Sequence, residues 1–350
     1  MKIGDMMAEV KAIKTTDCEP GMILASDIVN DYGAVIMYQN SKLDEYSINK
    51  LLNLGINFVK VYKDYELKEK KQVVIEAQYN NNLQELKQVI WDISCGRGIS
   101  LESIEGITNS MVSNFDSIND LISCLSKVRS ISEYTYSHSL NVSMLCALLG
   151  SWLNLSSTDI EQLTYCGLLH DIGKSKIPRE ILNKPDTLTG KEFEEIKKHP
   201  VIGYKILENT EGISKDIAMG VLMHHEREDG SGYPLNLKSS QIHYYAKVVA
   251  VVDIYDAMTS NRVYKKRQPP FDVLEMYESE YLTKCDASIM LTFLKHIASY
   301  YVGNSVKLSN NAIGEIIYIN PNRISRPLVK VGGVIVDLCI RPDLKIVEML

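Results

Sequence analysis

The 350-residue sequence has no excess of positive charge, no closely spaced cysteine pair and no apolar stretch long enough to cross a bilayer. Each absence excludes something. Lysine and arginine number 38 against 44 acidic residues, a net charge of -6, so no basic field advertises duplex nucleic acid as a partner. Any phosphate ligand must then be met by local positive charge. The seven cysteines form no CxxC pair, and Cys146 and Cys166 lie in apolar helix-like runs, where they read as small buried hydrophobes of a reducing compartment. The most hydrophobic run, 144–155, is short of a membrane span, and residues 1–20 lack the apolar centre of a signal peptide. A cytoplasmic location and no membrane partner are the expectations. No receiver, light-sensing or haem-binding motif names an input, and no sustained heptad run specifies a dimer.

What is present divides by pattern. At about 150 residues per domain the length suggests two or three domains, and the composition, 45% hydrophobic and 23% charged, is that of a globular protein. Residues 1–66 read as a small α/β or β module: strands over 23–29 and 34–37 about the turn 30–33, a helix through Leu43, Ser47, Leu51 and Leu54 stopped by Gly55, and a return strand over 56–61. It is either a regulatory or dimerising module or a plain structural cap. Residues 67–129 read as a helical linker, with Leu83, Leu86, Ile90 and Ile93 on one stripe, a break at 95–98 and a second helix over 101–125. That stripe suits packing on the following domain or pairing between subunits in a homodimer. Residues 130–300 are mainly α by period, and 301–350 change to strands over 306–308, 314–319, 328–331, 334–338 and 344–347, a small β appendage.

The chemistry gathers in the central helical segment. His224 and His225 are adjacent and run into Asp229-Gly230-Ser231-Gly232-Tyr233-Pro234, where glycines and proline cannot extend a helix. His170 and Asp171 end the apolar run 165–169. A buried carboxylate needs a partner or a cation, since isolating its charge costs several kcal/mol. Gly173 lets the chain turn closely, and Lys174 brings a positive charge to the same place. His199 ends a helix, where the plain reading is a cation at the helix dipole. Asp253 ends the apolar run 246–252, and His138 by itself reads as a satisfied core histidine. Together these are five imidazoles and two carboxylates at the ends of apolar helical segments. If Asp171 bridges, one metal takes His138, His170, Asp171 and Asp253, and a second takes Asp171, His199, His224 and His225. Mixed imidazole and carboxylate ligation with open positions favours two iron or manganese ions over a closed structural zinc. Two such metals suit phosphodiester hydrolysis, because they generate hydroxide near neutral pH and neutralise charge on phosphorus.

These residues give the sequence a specific resemblance to the HD-GYP family of cyclic di-GMP phosphodiesterases, within the HD-domain metal phosphohydrolases. It covers roughly 130–300 and rests on His170-Asp171-Ile172-Gly173-Lys174, Ile181-Leu182-Asn183-Lys184-Pro185, His199-Pro200, His224-His225-Glu226-Arg227, Gly232-Tyr233-Pro234 and Asp253-Ile254-Tyr255-Asp256-Ala257-Met258-Thr259. The resemblance implies a compact helical domain that hydrolyses cyclic di-GMP to pGpG and, in many members, to GMP. It implies the metal ligands His138, His170, Asp171, His199, His224, His225 and Asp253, with Asp171 and Lys174 at the reaction and Lys174 on the scissile phosphate. Arg262 and Lys265 are then expected on the remaining phosphate oxygens. Asp229, Gly230, Gly232, Tyr233 and Pro234 form the signature loop, which either contacts the ligand or only shapes the pocket and recruits signalling partner proteins. Members with three metals have a Glu four residues before the first His; here that position is Tyr134, with Glu133 one place off, so two metals are expected. Lys247 stands where the family commonly has Arg, which keeps the charge and loses the bidentate geometry. The amino-terminal module resembles a small domain often found ahead of such domains. Two readings stay open beside the phosphodiesterase: the same chemistry on another cyclic dinucleotide or nucleotide, and a receptor that binds without turnover.

Overall fold

The computed structural model describes residues 10–29, 35–37, 41, 43–62, 65–113, 134–184, 186–260 and 268–350. The chain divides into two compact units, Met1–Ala77 and Gln78–Leu350.

In the first unit, β1 (Val10–Lys14) pairs antiparallel with β4 (Phe58–Tyr62) in the register Val10↔Tyr62, and β2 (Ile28–Val29) pairs with β3 (Val35–Met37). Helix α1 (Glu45–Asn53) begins at Asp44, whose carboxylate accepts the Ser47 N–H at 2.7 Å and satisfies an orphan donor of the first turn. Gly55 follows the helix at φ +74°, a left-handed conformation that a glycine adopts without Cβ strain. Leu24, Leu43, Leu51, Val59 and Val61 close the small core. The expected strand over 23–29 is mostly irregular: only Ile28–Val29 forms a ladder, with a single bridge from Leu24 to Val61. Its turn at 30–33 lies outside the described residues.

The second unit is mainly helical. Helix α2 (Tyr65–Ser94), which belongs to this unit from Gln78 on, buries Leu83, Leu86 and Ile93, and its Tyr79 hydroxyl donates to Asn141 Oδ1 at 2.9 Å on α4 (Tyr134–Trp152). Helix α3 (Leu101–Ser113) accounts for the first half of the expected 101–125 helix; the remainder lies outside the described residues. Four helices then end at the site: α5 (Ser157–Leu169), α8 (His199–Glu208) at its first residue, α9 (Lys215–Met223) and α10 (Tyr244–Thr259) near its last turn. Between α5 and α8 run a 3-10 turn (Ile172–Lys176) and the short helices α6 (Arg179–Leu182) and α7 (Gly190–Ile196). Ser156 and Ser214 cap α5 and α9, accepting the N–H groups of Asp159 and Ile217. Residues Val248–Asp253 of α10 are buried on every face. A helix surrounded by others shows no amphipathic period, and the run of valines there reads as continuous hydrophobicity.

After α11 (Pro270–Ser279) and α12 (Ala287–Tyr300) the chain forms a five-stranded antiparallel sheet in the order β8-β7-β6-β5-β9, from β5 (Ser305–Leu308), β6 (Ile313–Tyr318), β7 (Leu328–Val331), β8 (Val334–Asp337) and β9 (Ile346–Met349). The last strand lies two residues later than its hydrophobic run suggested, because Ile346 pairs with Leu308 and leaves Leu344 buried in the preceding turn. Glu278 on α11 accepts the Ile324 N–H at 2.6 Å and the Ser325 hydroxyl at 2.5 Å, and Arg326 reaches Glu275 at 2.7 Å. These polar contacts tie the sheet to the helices. Glu278→Ala leaves two donors without their acceptor and is expected to cost about 1–3 kcal/mol, read as a lower thermal midpoint with metal content unaltered.

Candidate metal centre

The helix ends deliver imidazoles in one repeated way. His170, His199 and His224 each direct Nδ1 to the backbone carbonyl three residues earlier, to Gly167 at 2.8 Å, Ile196 at 2.7 Å and Val221 at 2.7 Å. A carbonyl can only accept, so Nδ1 carries the proton and Nε2 keeps its lone pair. The fourth, His138, makes the same commitment to a side chain: its Nδ1 lies 2.8 Å from Asp256 Oδ2.

Those lone pairs then converge. His199 Nε2 and His224 Nε2 face each other at 3.3 Å, two acceptors with no proton between them in the neutral tautomers their carbonyl bonds set. Asp171 Oδ1 is 3.3 Å from His199 Nε2, and Asp171 Oδ2 is 3.4 Å from His170 Nε2 and 3.9 Å from His138 Nε2. His138 Nε2 also meets Asp253 Oδ1 at 3.0 Å. Two groups of potential ligand atoms result, each within 4.8 Å: Asp171, His199, His224 and His225 in one, His138, His170 and Asp171 in the other. Asp171 belongs to both. Among the described residues, His170 Nε2 and Asp171 Oδ1 are buried with no hydrogen-bond partner. Orphaned acceptors gathered at one point fit a cation, and the imidazole and carboxylate donors fit a divalent metal.

Electrostatics agree with the geometry. Burial would raise the carboxyl of Asp171, yet the Lys174 ammonium 2.6 Å away and the His170 ring outweigh it and hold the group well below the usual carboxylate range. Asp253 is likewise held low against its burial, chiefly by His138. Burial pushes His199 down to about 4, and burial together with the neighbouring imidazoles pushes His224 and His225 well below the ordinary value. Three imidazoles are therefore bare at neutral pH. His138 goes the other way: burial opposes its charge, but the bonds to Asp253 and Asp256 lift it to about 9.

Two glycines permit the approach of these segments. A Cβ on Gly173 would lie 2.0 Å from the carbonyl oxygen of His199 and 2.6 Å from Gly203 N, so the turn after Asp171 packs directly on the start of α8. A Cβ on Gly232 would fall 2.5 Å from Arg227 N and His225 O, which holds the signature loop against the His pair. Tyr233 stacks on His225 with centroids 4.6 Å apart, its N–H donates to His225 O at 3.2 Å, and the bond to Pro234 is cis. Asp229 turns to its own loop, accepting the Ser231 N–H at 2.9 Å and hydroxyl at 2.6 Å, and Gly230 sits at φ +80°. Lys174 is partly exposed at the rim, paired with Asp171. Lys247 pairs with Glu228 at 3.1 Å and reaches Asp286 at 3.6 Å, a forked contact at the position where the resembling family has Arg. Arg262 and Lys265 lie outside the described residues.

Two positioning residues escaped the sequence reading. Asp256, fully buried, fixes His138 and also accepts from Asn141 Nδ2 at 3.0 Å and Ser260 Oγ at 3.0 Å. Glu226, 2% exposed, accepts the N–H groups of Leu235 at 2.6 Å and Leu237 at 2.9 Å and so anchors the far end of the signature loop. The signal for Asp256 was its i+3 spacing from Asp253 on one helix face; for Glu226 it was a carboxylate directly after a buried His pair.

Asp256→Asn keeps the shape and removes the charge behind His138, so metal affinity should fall about 10- to 100-fold, measured by competition with a chelating dye. In the metal-free protein His138 is protonated at pH 7.5, below its value of about 9. Metal uptake at that pH should release about one proton from it; calorimetry in buffers of different ionisation enthalpy should find one fewer proton released by His138→Asn.

Residues 120–289 match the family model of the HD domain. The cyclic di-GMP phosphodiesterase PA4108 of Pseudomonas aeruginosa is 37% identical over 213 residues, 61% of this chain and 51% of that protein. A cyclic di-GMP phosphodiesterase of Thermotoga maritima is 37% identical over 161 residues, 46% of this chain and 43% of its own length. A 3'3'-cGAMP-specific phosphodiesterase 2 of Vibrio cholerae is 28% identical over 248 residues, 69% of this chain and 42% of its own. The chain thus spans about half the length of the curated relatives it matches. Among solved structures, Bd1817, an HDG"Y"P protein from Bdellovibrio bacteriovorus, superposes with a TM-score of 0.51 at 17% identity over 83% of this chain and 99% of that one, a likeness of fold. Residues 120–289, just under half of the chain, are thus similar to the HD domain family, and the motifs that resemble its HD-GYP branch lie in the same region.

Proposed function

We propose that this chain is a metal-dependent phosphodiesterase that hydrolyses cyclic di-GMP to pGpG, and onward to GMP. The observation that carries the reading is Asp171, buried, ionised and shared by both groups of ligand atoms. A carboxylate with one oxygen toward each group suits a bridge between two cations. His138, His170 and Asp253 would hold one with Asp171; His199, His224 and His225 would hold the other. The donor set favours iron or manganese. When bound, such ions neutralise charge at phosphorus and acidify water.

The chain's own residues supply the rest. Backbone carbonyls keep the Nε2 atoms of His170, His199 and His224 unprotonated and aimed inward, and Asp256 holds His138 with an Nε2 that would lose its proton as an ion binds. Lys174, 27% exposed by side chain, can leave Asp171 for a non-bridging phosphate oxygen at the rim. Tyr233, held against His225, walls the pocket and excludes water on that side. Arg262 and Lys265 are assigned to the second phosphate. The names of the Pseudomonas aeruginosa and Thermotoga maritima relatives support the substrate class, and that of the Vibrio cholerae relative supports a second reading, 3'3'-cGAMP as an alternative substrate.

His170→Ala combined with Asp171→Ala removes a ligand from each group. The expected outcome is loss of bound metal and of pGpG formation with cooperative unfolding retained, followed by metal analysis, product chromatography and circular dichroism on protein loaded anaerobically with iron(II) or manganese(II). Retained turnover would sink the mechanism. Bound metal with no cyclic dinucleotide cleaved by the unaltered chain would favour a receptor.

A further inference from the structure

The rim of the pocket carries an aromatic group that the hydrolytic chemistry does not use. Phe193 on α7 is 45% exposed. Its helix is rigidly begun: Thr189 and Glu192 form a capping box, and Lys184 pins Glu192 at 2.7 and 2.8 Å. One turn later Lys197 places Nζ 5.0 Å from the Phe193 ring centroid and 5.7 Å from that of Tyr233. Tyr233 in turn stacks on His225, 4.6 Å away. A single ammonium is thus lodged between an exposed ring and the ring that touches the metal centre, close enough for a nucleotide whose phosphate lies on that centre to lay its base there.

The ammonium has donors to spare. Among the described residues, one of its three N–H groups is given to Glu194 at 2.7 Å, an exposed carboxylate whose hold in solvent is weak. Two rings within about 6 Å attract the cation without accepting a conventional hydrogen bond, and its side chain stays 31% exposed, which leaves it open to a purine edge. Guanine offers that edge two acceptors, O6 and N7, whereas adenine offers N7 beside an N6 donor that an ammonium repels.

We infer that Lys197, held between Phe193 and Tyr233, reads a guanine base of the cyclic dinucleotide and sets the preference for guanine over adenine. This rests on the phosphodiesterase reading above and adds a specificity residue to it. Exposed Phe193 supplies a face on which the base can rest. Lys197 acts on the base, so its removal changes which nucleotide is preferred.

The test uses the full metal-loaded chain. Its kcat/KM for cyclic di-GMP and cyclic di-AMP is compared with that of Lys197→Met and Phe193→Leu, and the Kd values of GMP and AMP are measured by calorimetry. The guanine preference should fall about tenfold or more in Lys197→Met, in both turnover and Kd, and by a smaller factor in Phe193→Leu. An unchanged ratio overturns the inference. So does a parallel fall for both substrates and for bis(p-nitrophenyl) phosphate, which has no base and would assign Lys197 to the metal centre. If the unaltered chain cleaves bis(p-nitrophenyl) phosphate and neither dinucleotide, the substrate assignment and the base reading fall while the hydrolytic chemistry stands. If it cleaves nothing, the phosphodiesterase reading falls, and the GMP and AMP Kd values alone decide whether Lys197 selects guanine.

Discussion

Lone pairs brought together without protons are the constraint on which the centre of this protein depends. Three imidazoles have their Nδ1 protons committed to backbone carbonyls, and the Nε2 atoms left over point at one another and at Asp171. In water each would be hydrated; here they are buried, and burying unsatisfied acceptors costs free energy unless something positive joins them. The Lys174 ammonium and the proton on His138 meet part of that demand. The remainder is a site for cations. Stability and function therefore pull on the same atoms, and the fold around them must be stiff enough to keep acceptors apart by about the width of an ion rather than let them rotate away.

That stiffness comes from backbone. His170 and His224 are each oriented by a carbonyl in the last turn of the helix they end, and His199 by the last residue of the preceding helix α7, so none of these rings can turn without breaking a hydrogen bond to backbone. The segments also touch main chain to main chain: the turn at Gly173 lies on the carbonyl of His199, and Gly232 lies on the backbone of the His pair. A side chain at Gly173 would push apart two ligand-bearing segments, and one at Gly232 would push the signature loop off the His pair. Asp256 and Glu226 do with side chains what the carbonyls do elsewhere, one behind His138 and one behind the signature loop.

Much of this was legible in the residues. Apolar runs closing on His170-Asp171, His224-His225 and Asp253 named the ligand candidates because buried ionisable groups at helix ends need a reason to be there. The strands of the C-terminal sheet were also visible as short alternating runs between turns, to within two residues. Less legible was the amino-terminal unit, where the run 23–29 looked like one strand and forms only a short ladder with a bulge, since β pairing depends on a partner that periodicity does not name. Asp256 and Glu226 were hidden for another reason. A carboxylate that orients a ligand looks in sequence like any other carboxylate, and only its partner gives it meaning.

The sequence by itself determined which groups are available: seven candidate ligands, two glycines that allow close approach, capping residues that start α1, α5, α7 and α9, and too little net positive charge to bind phosphate except locally. Those are properties of single residues and of spacing along the chain. Tertiary structure decided the pairing, because His138, Asp171, His199 and Asp253 lie on different elements and distances between them exist only after helices pack. It placed Asp171 between the two groups of acceptors, turned the proton of His138 toward Asp256, and set Lys197 between Phe193 and Tyr233. Electrostatic energies depend on separation and burial, and neither is written in the order of residues.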